Sequence, residues 1–264
     1  MRAKERRMGQ CFLEDAQVLK MEARIADVSG KSVLEIGAGD GRLTIELHRA
    51  GAKSIVAIEK DKKLAKELRM RFSSYKTIKI VQADFLEYSK SAGKFERVVG
   101  NIPYYITSPI LFSLAKMEFG KALLCVQKEF AQKMVANAGE RNYGRLSLTS
   151  QVNFNAQIAG FVGREKFAPS PKVDSALVLL EKTGRELDEY EAGFIAAVFA
   201  HKNKSVHAAL CDARQFFGKS KAQMREIGAS IKYNARRVNS LSWQEALELA
   251  DELRGTHERG RQSS

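Results

Sequence analysis

The chain carries, at residues 32–41, the stretch Ser32-Val33-Leu34-Glu35-Ile36-Gly37-Ala38-Gly39-Asp40-Gly41. Its first half is a short apolar run typical of a β-strand, and its second half is a glycine-rich loop that leads into a helical pattern at about 42–50. Glycine lets the backbone turn sharply and lets a ligand approach the main chain closely. The helix that follows offers free N–H groups to an anion such as a carboxylate. The stretch therefore predicts a strand–loop–helix unit with a ligand site in its loop.

The alternation of strand and helix continues through the first half of the chain. The further predicted strands are 54–58, 78–81, 97–99 and 122–126, and the predicted helices are 14–28, 42–50, a charged helix ending at Phe72, 107–117 and 128–138. Short apolar strands joined by helices predict an α/β fold, in which a parallel sheet is covered on both faces.

The pattern changes after residue 145. Residues 146–154, 157–162 and 175–182 are predicted as strands without helices between them, which favours antiparallel additions at one sheet edge. Helices are then predicted at 190–210, at about 221–228 and at 242–253. We therefore expect an α/β domain at 1–183, a small helical domain at 184–254 and a disordered tail at 255–264.

The chain has 264 residues and a formal net charge of +13. This surplus favours a polyanionic partner such as nucleic acid, although a basic surface also serves solubility alone. Nine Lys or Arg residues accompany two acidic residues between positions 202 and 237. The predicted RNA contacts are Lys172, Lys202, Lys204, Arg236 and Arg237, and a solvated helix surface is the alternative.

The three cysteines, Cys11, Cys125 and Cys211, match no zinc or disulfide spacing, which favours a reducing compartment. No apolar run reaches the roughly 18 residues of a membrane span. No apolar signal region follows the basic start of the chain. We expect a cytoplasmic protein with no metal and no membrane contact.

Acidic residues follow the next two predicted strands. Glu59 stands about 20 residues after the glycine loop, where a carboxylate accepts hydrogen bonds from both hydroxyls of a ribose. Asp84 ends the third strand and is placed to accept from an adenine amine. The loop spacing G-x-G-x-G, which includes Gly37 and Gly39, is shorter than the dinucleotide fingerprint and suits a ligand without a pyrophosphate. S-adenosylmethionine has a ribose, an adenine and an amino-acid end but no phosphate.

The fourth predicted strand runs into Gly100-Asn101-Ile102-Pro103-Tyr104-Tyr105. This turn offers an amide side chain, the carbonyls of Ile102 and Pro103, and an aromatic ring, and Pro103 has no N–H to compete for acceptors. The set suits a planar amine, such as the exocyclic amino group of a nucleobase, on whose ring Tyr104 stacks. A strand-to-helix loop with a rigid proline is the alternative interpretation.

Motifs over roughly residues 6–250 resemble those of a known family. They are Gly9–Leu13, Glu35–Gly39, Glu59, Asp84, Asn101–Tyr104, Gln127–Glu129, Tyr143–Ser147, Phe167–Ser175, Phe199–Lys204 and Arg237–Leu241. With these motifs the chain resembles the KsgA-type ribosomal RNA adenine dimethyltransferases, in their archaeal form.

The resemblance implies a seven-stranded, Rossmann-like methyltransferase sheet that binds S-adenosylmethionine, with a small all-helical C-terminal domain. The implied substrate is a pair of adjacent adenosines near the 3′ end of small-subunit ribosomal RNA, each dimethylated at N6, in a pre-small ribosomal subunit. We expect the enzyme to be a monomer. The implied cofactor contacts are Cys11, Leu13, Gly37, Gly39, Glu59, Asp84 and Asn101, and the implied base contacts are Asn101, Ile102, Pro103 and Tyr104, with Phe167 closing the other face.

Cys11 departs from the family pattern, which often has Asn or His at this position. Because a thiol forms weak hydrogen bonds, we expect the backbone of residue 11 to make any cofactor contact. The transfer itself is expected to need neither a metal nor a strong base, and to depend on positioning and carbonyl dipoles.

Three other functions remain open from the sequence. A related enzyme that methylates an adenosine of large-subunit RNA shares the Asn-Ile-Pro-Tyr loop, although the run at 169–175 favours the small-subunit group. A ribosome-assembly factor with little catalysis is the second, and the intact Gly37, Glu59, Asp84 and Asn101 argue against it. A nicotinamide-dependent dehydrogenase is the third, and the short glycine spacing argues against it.

Overall fold

The computed structural model describes residues 11–261, with side chains described through Gly255. The described chain divides into two compact units. Unit 1 takes the residues up to Ala131 together with Phe154–Lys182, and unit 2 takes Gln132–Asn153 together with the residues from Thr183 on. The chain therefore leaves unit 1 after Ala131, returns at Phe154 and leaves it again after Lys182.

The strands and helices of the described residues follow one another along the chain as the sequence alternation predicts for unit 1. The strands are β1 Phe12–Leu13, β2 Ser32–Ile36, β3 Ser54–Glu59, β4 Ile78–Gln82, β5 Phe95–Asn101, β6 Phe119–Gln127, β7 Phe154–Val162, β8 Phe167–Ala168 and β9 Ser175–Lys182. The helices are α1 Ala16–Ile25, α2 Arg42–Arg49, α3 Lys62–Arg71, α4 Phe85–Tyr88, α5 Thr107–Ala115, α6 Lys128–Val135, α7 Arg145–Asn153, α8 Glu189–Phe199, α9 Val206–Asp212, α10 Lys221–Ser230 and α11 Trp243–Arg261.

Seven of these strands form one sheet in the order β4-β3-β2-β5-β6-β9-β7. The first five are parallel, whereas β9 runs antiparallel to both β6 and β7. The predicted α/β fold with an antiparallel edge is confirmed. Val33, Leu34 and Ile36 of β2 are all buried, without polar alternation, as expected for a parallel strand covered on both faces.

The strand order reverses beside β2. The chain runs outward from β2 to β3 and β4, and then returns to place β5 on the other side of β2. In open α/β sheets, ligands bind beyond the carboxyl ends of the strands at such a switch point. The glycine loop after β2 and Asn101 at the end of β5 both lie there.

The segment 146–154, predicted as a strand, forms α7 up to Asn153, and this prediction is wrong. Its residues show no helical alternation of apolar and polar side chains, because nearly every side of this helix is buried, including Ser147, Ser150 and Asn153. Leu148 and Val152, one helical turn apart, join the apolar core of unit 2. This burial also assigns residues 132–153 to the helical unit, so a single boundary at residue 183 does not describe the division.

Two other predictions in unit 2 need correction. The predicted helix at 190–210 is two helices, α8 and α9, because Ser205 starts a new helix as an N-cap whose Oγ accepts from the Ala208 N–H at 3.3 Å. The predicted disordered tail is helical as far as Arg261, as the last part of α11. Residues 262–264 lie outside the described range.

Among the helices of residues 11–261, none combines the length and the apolar character that crossing a membrane requires.

Candidate active site

A cavity of about 460 Å³ opens in unit 1 at the carboxyl ends of the central strands. Eleven side chains or loop positions predicted from the sequence line it together: Cys11, Leu13, Gly37, Gly39, Glu59, Asp84, Asn101, Ile102, Pro103, Tyr104 and Phe167. The predicted cofactor and base contacts therefore share one continuous space, as a transfer between two bound molecules requires.

The glycine loop is held against the end of β3. The N–H groups of Gly37 and Ala38 both donate to the Ile58 carbonyl at 2.9 Å. Gly39 has a φ of +58°, and a Cβ there would approach the ring of Phe12 to 2.9 Å. Gly37 has a φ of +72°, and a Cβ there would meet open space. The loop needs glycine for its backbone conformation at both positions, and it leaves room beside Gly37 for a ligand.

Glu59 joins the two loops that border the cavity. Its side chain is buried, its Oε2 accepts from the Gly39 N–H at 2.8 Å, and its Oε1 accepts from the Asp61 N–H at 2.7 Å. Each carboxylate oxygen keeps a second lone pair, so the group still has the capacity to accept from two ribose hydroxyls.

Asp84 caps α4 and pairs with a lysine. Its Oδ1 accepts from the Leu86 N–H at 2.9 Å, and its Oδ2 lies 2.7 Å from the Lys60 Nζ. The hydrogen bond from Lys60 lowers the pKa of Asp84, with a further contribution from the Leu86 N–H, so the carboxyl is ionised at neutral pH. An ionised carboxylate at the cavity wall accepts from an amine such as the adenine amino group.

Asn101 presents an unpaired carbonyl oxygen. Its Nδ2 donates to Glu22 Oε2 at 3.1 Å. Its Oδ1 is buried and has no hydrogen-bond partner among the described residues. Buried acceptors are rarely left unpaired, because an unmade hydrogen bond costs about 1–3 kcal/mol. This oxygen therefore has the capacity to accept from a ligand that brings its own N–H or O–H donor.

The turn after Asn101 supplies the other predicted base contacts. The Pro103 carbonyl accepts from the Ile106 N–H at 3.1 Å, which favours the Ile102 carbonyl as the second acceptor for an amine. The hydroxyl of Tyr104 lies 2.7 Å from Ser175 Oγ, which fixes the ring by its far end. Burial raises the pKa of Tyr104, so its hydroxyl stays protonated.

A two-stranded ladder brings the start of the described chain to the cavity. In the antiparallel pair β1–β8, Leu13 lies opposite Phe167 and Phe12 lies opposite Ala168. This pairing explains how residues more than 150 positions apart line one space. Burial raises the pKa of the Cys11 thiol, so the thiol stays neutral. Gly9 and Gln10 of the same motif lie outside the described residues.

Three residues of the site were missed in the sequence. The sequence places Glu22 only within the predicted helix 14–28 and Cys125 only within the predicted strand 122–126, and it assigns no role to Tyr105. Cys125 lies beside Asn101 in the β5–β6 register and lines the cavity, and Tyr105 lines it with 77% of its surface exposed. The doubled tyrosine was a visible signal for Tyr105, whereas no local pattern marks Glu22 or Cys125.

Three of the five predicted RNA contacts have intramolecular partners in unit 2. The pairs are Lys202 Nζ with the Tyr143 carbonyl at 2.7 Å, Lys204 Nζ with Asp212 Oδ2 at 2.6 Å, and Arg236 Nη1 with Glu245 Oε1 at 2.5 Å. Lys172 in unit 1 and Arg237 in unit 2 have exposed side chains. An intramolecular ion pair does not by itself withdraw a side chain from solvent, since 54% of the Lys204 side chain is exposed.

Glu35, at the end of β2, is almost fully buried at the cavity wall. Burial raises its pKa from the usual 4.5 to about 8, so the folded protein keeps this proton up to about pH 8 whereas the unfolded chain loses it near pH 4.5. The contribution of Glu35 to the free energy of unfolding is complete below pH 4.5 and is lost as the pH rises through 8.

We expect Glu35→Gln to flatten the fall in the free energy of unfolding between pH 5 and pH 8, since one such group contributes a slope of at most about 1.4 kcal/mol per pH unit. Urea titrations at four pH values measure the slope, with Glu67→Gln on the exposed side of α3 as the matched control. Equal slopes for Glu35→Gln and the wild type would contradict a neutral buried Glu35.

The cavity fits S-adenosylmethionine by its donor and acceptor set. Glu59 offers a carboxylate to a ribose, Asp84 offers one to an amine, and the space beside Gly37 lies next to the start of α2, where N–H groups favour a carboxylate. Asn101 also lines the cavity, and its Oδ1 has no hydrogen-bond partner among the described residues. No group of three His, Cys, Asp or Glu side chains suited to a metal ion occurs among the described residues.

Several known proteins are similar to this chain over most of its length. A sequence model of the family described as ribosomal RNA adenine dimethylase matches residues 1–253. The probable ribosomal RNA small subunit methyltransferase A of Thermococcus gammatolerans is 37% identical over 251 residues, which cover 94% of this chain and 89% of the relative. The protein of the same description from Methanococcus vannielii is 33% identical, with 94% and 96% covered.

Two solved structures share the fold over nearly the whole chain. A dimethyladenosine transferase from Plasmodium falciparum superposes with a TM-score of 0.80 at 27% identity, and the match covers 93% of this chain and 98% of that one. The 23S rRNA methyltransferase ErmE superposes with a TM-score of 0.67 at 29% identity, with 92% and 99% covered. Together with the extent of the sequence matches, these likenesses show that the chain belongs to the ribosomal RNA adenine dimethylase family, whose members are S-adenosylmethionine-dependent methyltransferases.

Proposed function

We propose that this enzyme dimethylates N6 of two adjacent adenosines near the 3′ end of small-subunit ribosomal RNA. The curated relatives from Thermococcus and Methanococcus carry small-subunit names, which supports this RNA over that of the large subunit. The observation that carries the proposal is the buried Oδ1 of Asn101, a residue that lines the cavity. This oxygen has no hydrogen-bond partner among the described residues, and an adenine amino group supplies the donor that it lacks.

In the proposed mechanism the chain holds and orients the acceptor. S-adenosylmethionine supplies an electrophilic methyl group on a sulfonium sulfur. Asn101 Oδ1 and the Ile102 carbonyl accept the two hydrogens of N6 and bring its lone pair out of the plane of the ring. Their dipoles stabilise the positive charge that develops on N6, and no strong base is required because the alkylated amine loses its proton readily.

The second methyl transfer requires one hydrogen-bond acceptor for N6 instead of two. After one methylation N6 keeps one hydrogen, so a single carbonyl holds it while the methyl group takes the place of the other hydrogen. The adenosine must leave its stack to reach the cavity, which costs little in single-stranded RNA. Tyr104 and Phe167 offer aromatic surface that offsets this cost by about 1–3 kcal/mol per base.

The partner we propose is a pre-small ribosomal subunit in the cytoplasm, bound by a monomeric enzyme. Support comes from the surplus of positive charge and from the exposed Lys172 and Arg237. Lys202, Lys204 and Arg236 keep further N–H donors beyond their intramolecular bonds and stay in the proposal as weaker contacts.

Mass spectrometry of both ribosomal RNAs tests the function. Purified small and large subunits that lack the modification are incubated with the enzyme and the methyl donor. We expect N6,N6-dimethyladenosine at two neighbouring positions of the small-subunit RNA. Modification of the large-subunit RNA alone would place the enzyme with ErmE in substrate choice, and cofactor binding without transfer to either RNA would favour an assembly role.

Two substitutions of Tyr104 distinguish the effect of its ring on catalysis from the effect of its hydroxyl. We expect Tyr104→Ala to lower kcat/KM for RNA about 10- to 100-fold through lost stacking, while Tyr104→Phe, which lacks only the bond to Ser175, stays within about threefold of the wild type. Cofactor affinity, measured by calorimetry, should change little in either. Phe112→Ala, at an exposed position on α5, is the control. An equal fall in cofactor affinity for Tyr104→Ala would argue against stacking.

A further inference from the structure

The amide of Asn101 has two orientations of nearly the same shape. In the proposed reaction Oδ1 accepts from an adenine amine, and exchange of the amide oxygen and nitrogen would place an NH2 donor against the N–H donors of that amine. Only one orientation therefore serves the proposed reaction. Among the described residues, this orientation is marked by the hydrogen bond from Asn101 Nδ2 to Glu22 Oε2 at 3.1 Å.

Glu22 is a buried hydrogen-bond partner of the Asn101 side chain. It lies on α1, 79 positions earlier in the chain, and only 1% of its surface is exposed. It is not among the residues that line the cavity, whereas Asn101 is. The hydrogen bond to the Asn101 amide links this carboxyl directly to a residue of the cavity wall.

A buried carboxyl group at this place is costly, and apolar residues would fill the space more cheaply. Its Oε1 is buried with no hydrogen-bond partner among the described residues. Burial, with the nearby Glu35 adding to it, raises the pKa of Glu22 to about 8, and Asn101 opposes the shift through its hydrogen bond. Both the neutral and the ionised carboxyl keep an acceptor for the N–H of Asn101.

We propose that Glu22 is a positioning residue, which fixes the amide of Asn101 so that Oδ1 faces the target amine. This inference rests on the proposed role of Asn101 in holding N6. An inert structural pair is the competing explanation, in which the bond only satisfies two buried groups.

Glu22→Leu and Glu22→Gln separate the two explanations. Leucine fills the volume without an acceptor, whereas glutamine restores one acceptor oxygen. We expect Glu22→Leu to lower kcat about tenfold or more with KM for RNA and cofactor affinity within about threefold, and Glu22→Gln to recover most of the rate. Lys20→Leu, at an exposed position of the same helix, is the control. A folded Glu22→Leu enzyme with the wild-type kcat would overturn the proposal.

A readout without turnover comes from the side-chain NH2 signals of Asn101 in nuclear magnetic resonance, assigned by their loss in Asn101→Ala. In the wild type one hydrogen is bonded to Glu22, so we expect two well-separated proton shifts with slowed exchange. In Glu22→Leu the two shifts should draw together and exchange faster. Unchanged signals in Glu22→Leu would show that Glu22 does not hold the amide.

A double-mutant cycle distinguishes a failure of the proposed role of Glu22 from a failure of the proposed role of Asn101. In an Asn101→Ala background, Glu22→Leu should cost no further rate in single-turnover assays, because the amide it positions is gone. The same loss in both backgrounds would overturn positioning through Asn101. Wild-type transfer by Asn101→Ala itself would instead remove the proposed role of Asn101, whatever Glu22 does.

Discussion

Asn101→Ala is expected to lower kcat about 100- to 1000-fold, the range found when one preorganised electrostatic group is removed from an active site. The variant loses the unpaired Oδ1 that is proposed to hold N6, so the amine lone pair is no longer directed at the methyl group. It also leaves Glu22 Oε2 without the N–H it accepts. Transfer of a tritiated methyl group to undermethylated small subunits measures the rate.

The control for this prediction is Asn155→Ala, an exposed asparagine on the edge strand β7 of the same unit. Cofactor affinity of Asn101→Ala should fall by less than about tenfold, because most of the proposed cofactor contacts come from other residues. Near wild-type transfer by Asn101→Ala would reject the mechanism, while loss of cofactor binding by more than the loss in rate would assign Asn101 to the cofactor alone.

Glu59→Ala is expected to weaken the binding of S-adenosylmethionine by about 100-fold or more, which corresponds to roughly 2.7 kcal/mol. The carboxylate has two tasks, since it is proposed to accept from the ribose while it accepts from the Gly39 and Asp61 N–H groups. Glu59→Gln should lose nearly as much, because its NH2 group would face one of these backbone donors. Calorimetry with the methyl donor measures both variants.

Glu67→Ala, on the exposed surface of α3, is the matched control for Glu59. Thermal unfolding of the ligand-free variants separates a disordered loop from a lost ligand contact. If Glu59→Ala bound the cofactor as tightly as the wild type, the cofactor would not use the end of β3, and the site assignment around the glycine loop would fail. The two substitutions thus test different steps, binding for Glu59 and transfer for Asn101.

Much of the candidate site could be predicted because strand ends are marked locally. A short apolar run that stops at an acid or a glycine shows where a parallel strand ends, and parallel strands end at one edge of the sheet. That rule predicts that Gly37, Glu59, Asp84 and Asn101 lie near one another, and all four line one cavity.

Two of the secondary-structure predictions are wrong, each for its own physical reason. Residues 146–154 looked like a strand because burial on nearly every side of α7 removes the alternation that identifies a surface helix. The break between α8 and α9 was missed because the apolar residues continue through it, while a single N-cap serine decides where the new helix starts.

The sequence by itself determined the α/β class, the strand ends and the chemical types of the groups at them, since these follow from local periodicity and from residue identity. Only the tertiary structure decided that α7 belongs to the helical unit, that β1 and β8 bring Leu13 and Phe167 together, and that Glu22 accepts a hydrogen bond from the amide of Asn101. Such contacts join positions tens to hundreds of residues apart. Their geometry depends on how whole helices and strands pack, and this packing cannot be predicted from a local stretch of sequence.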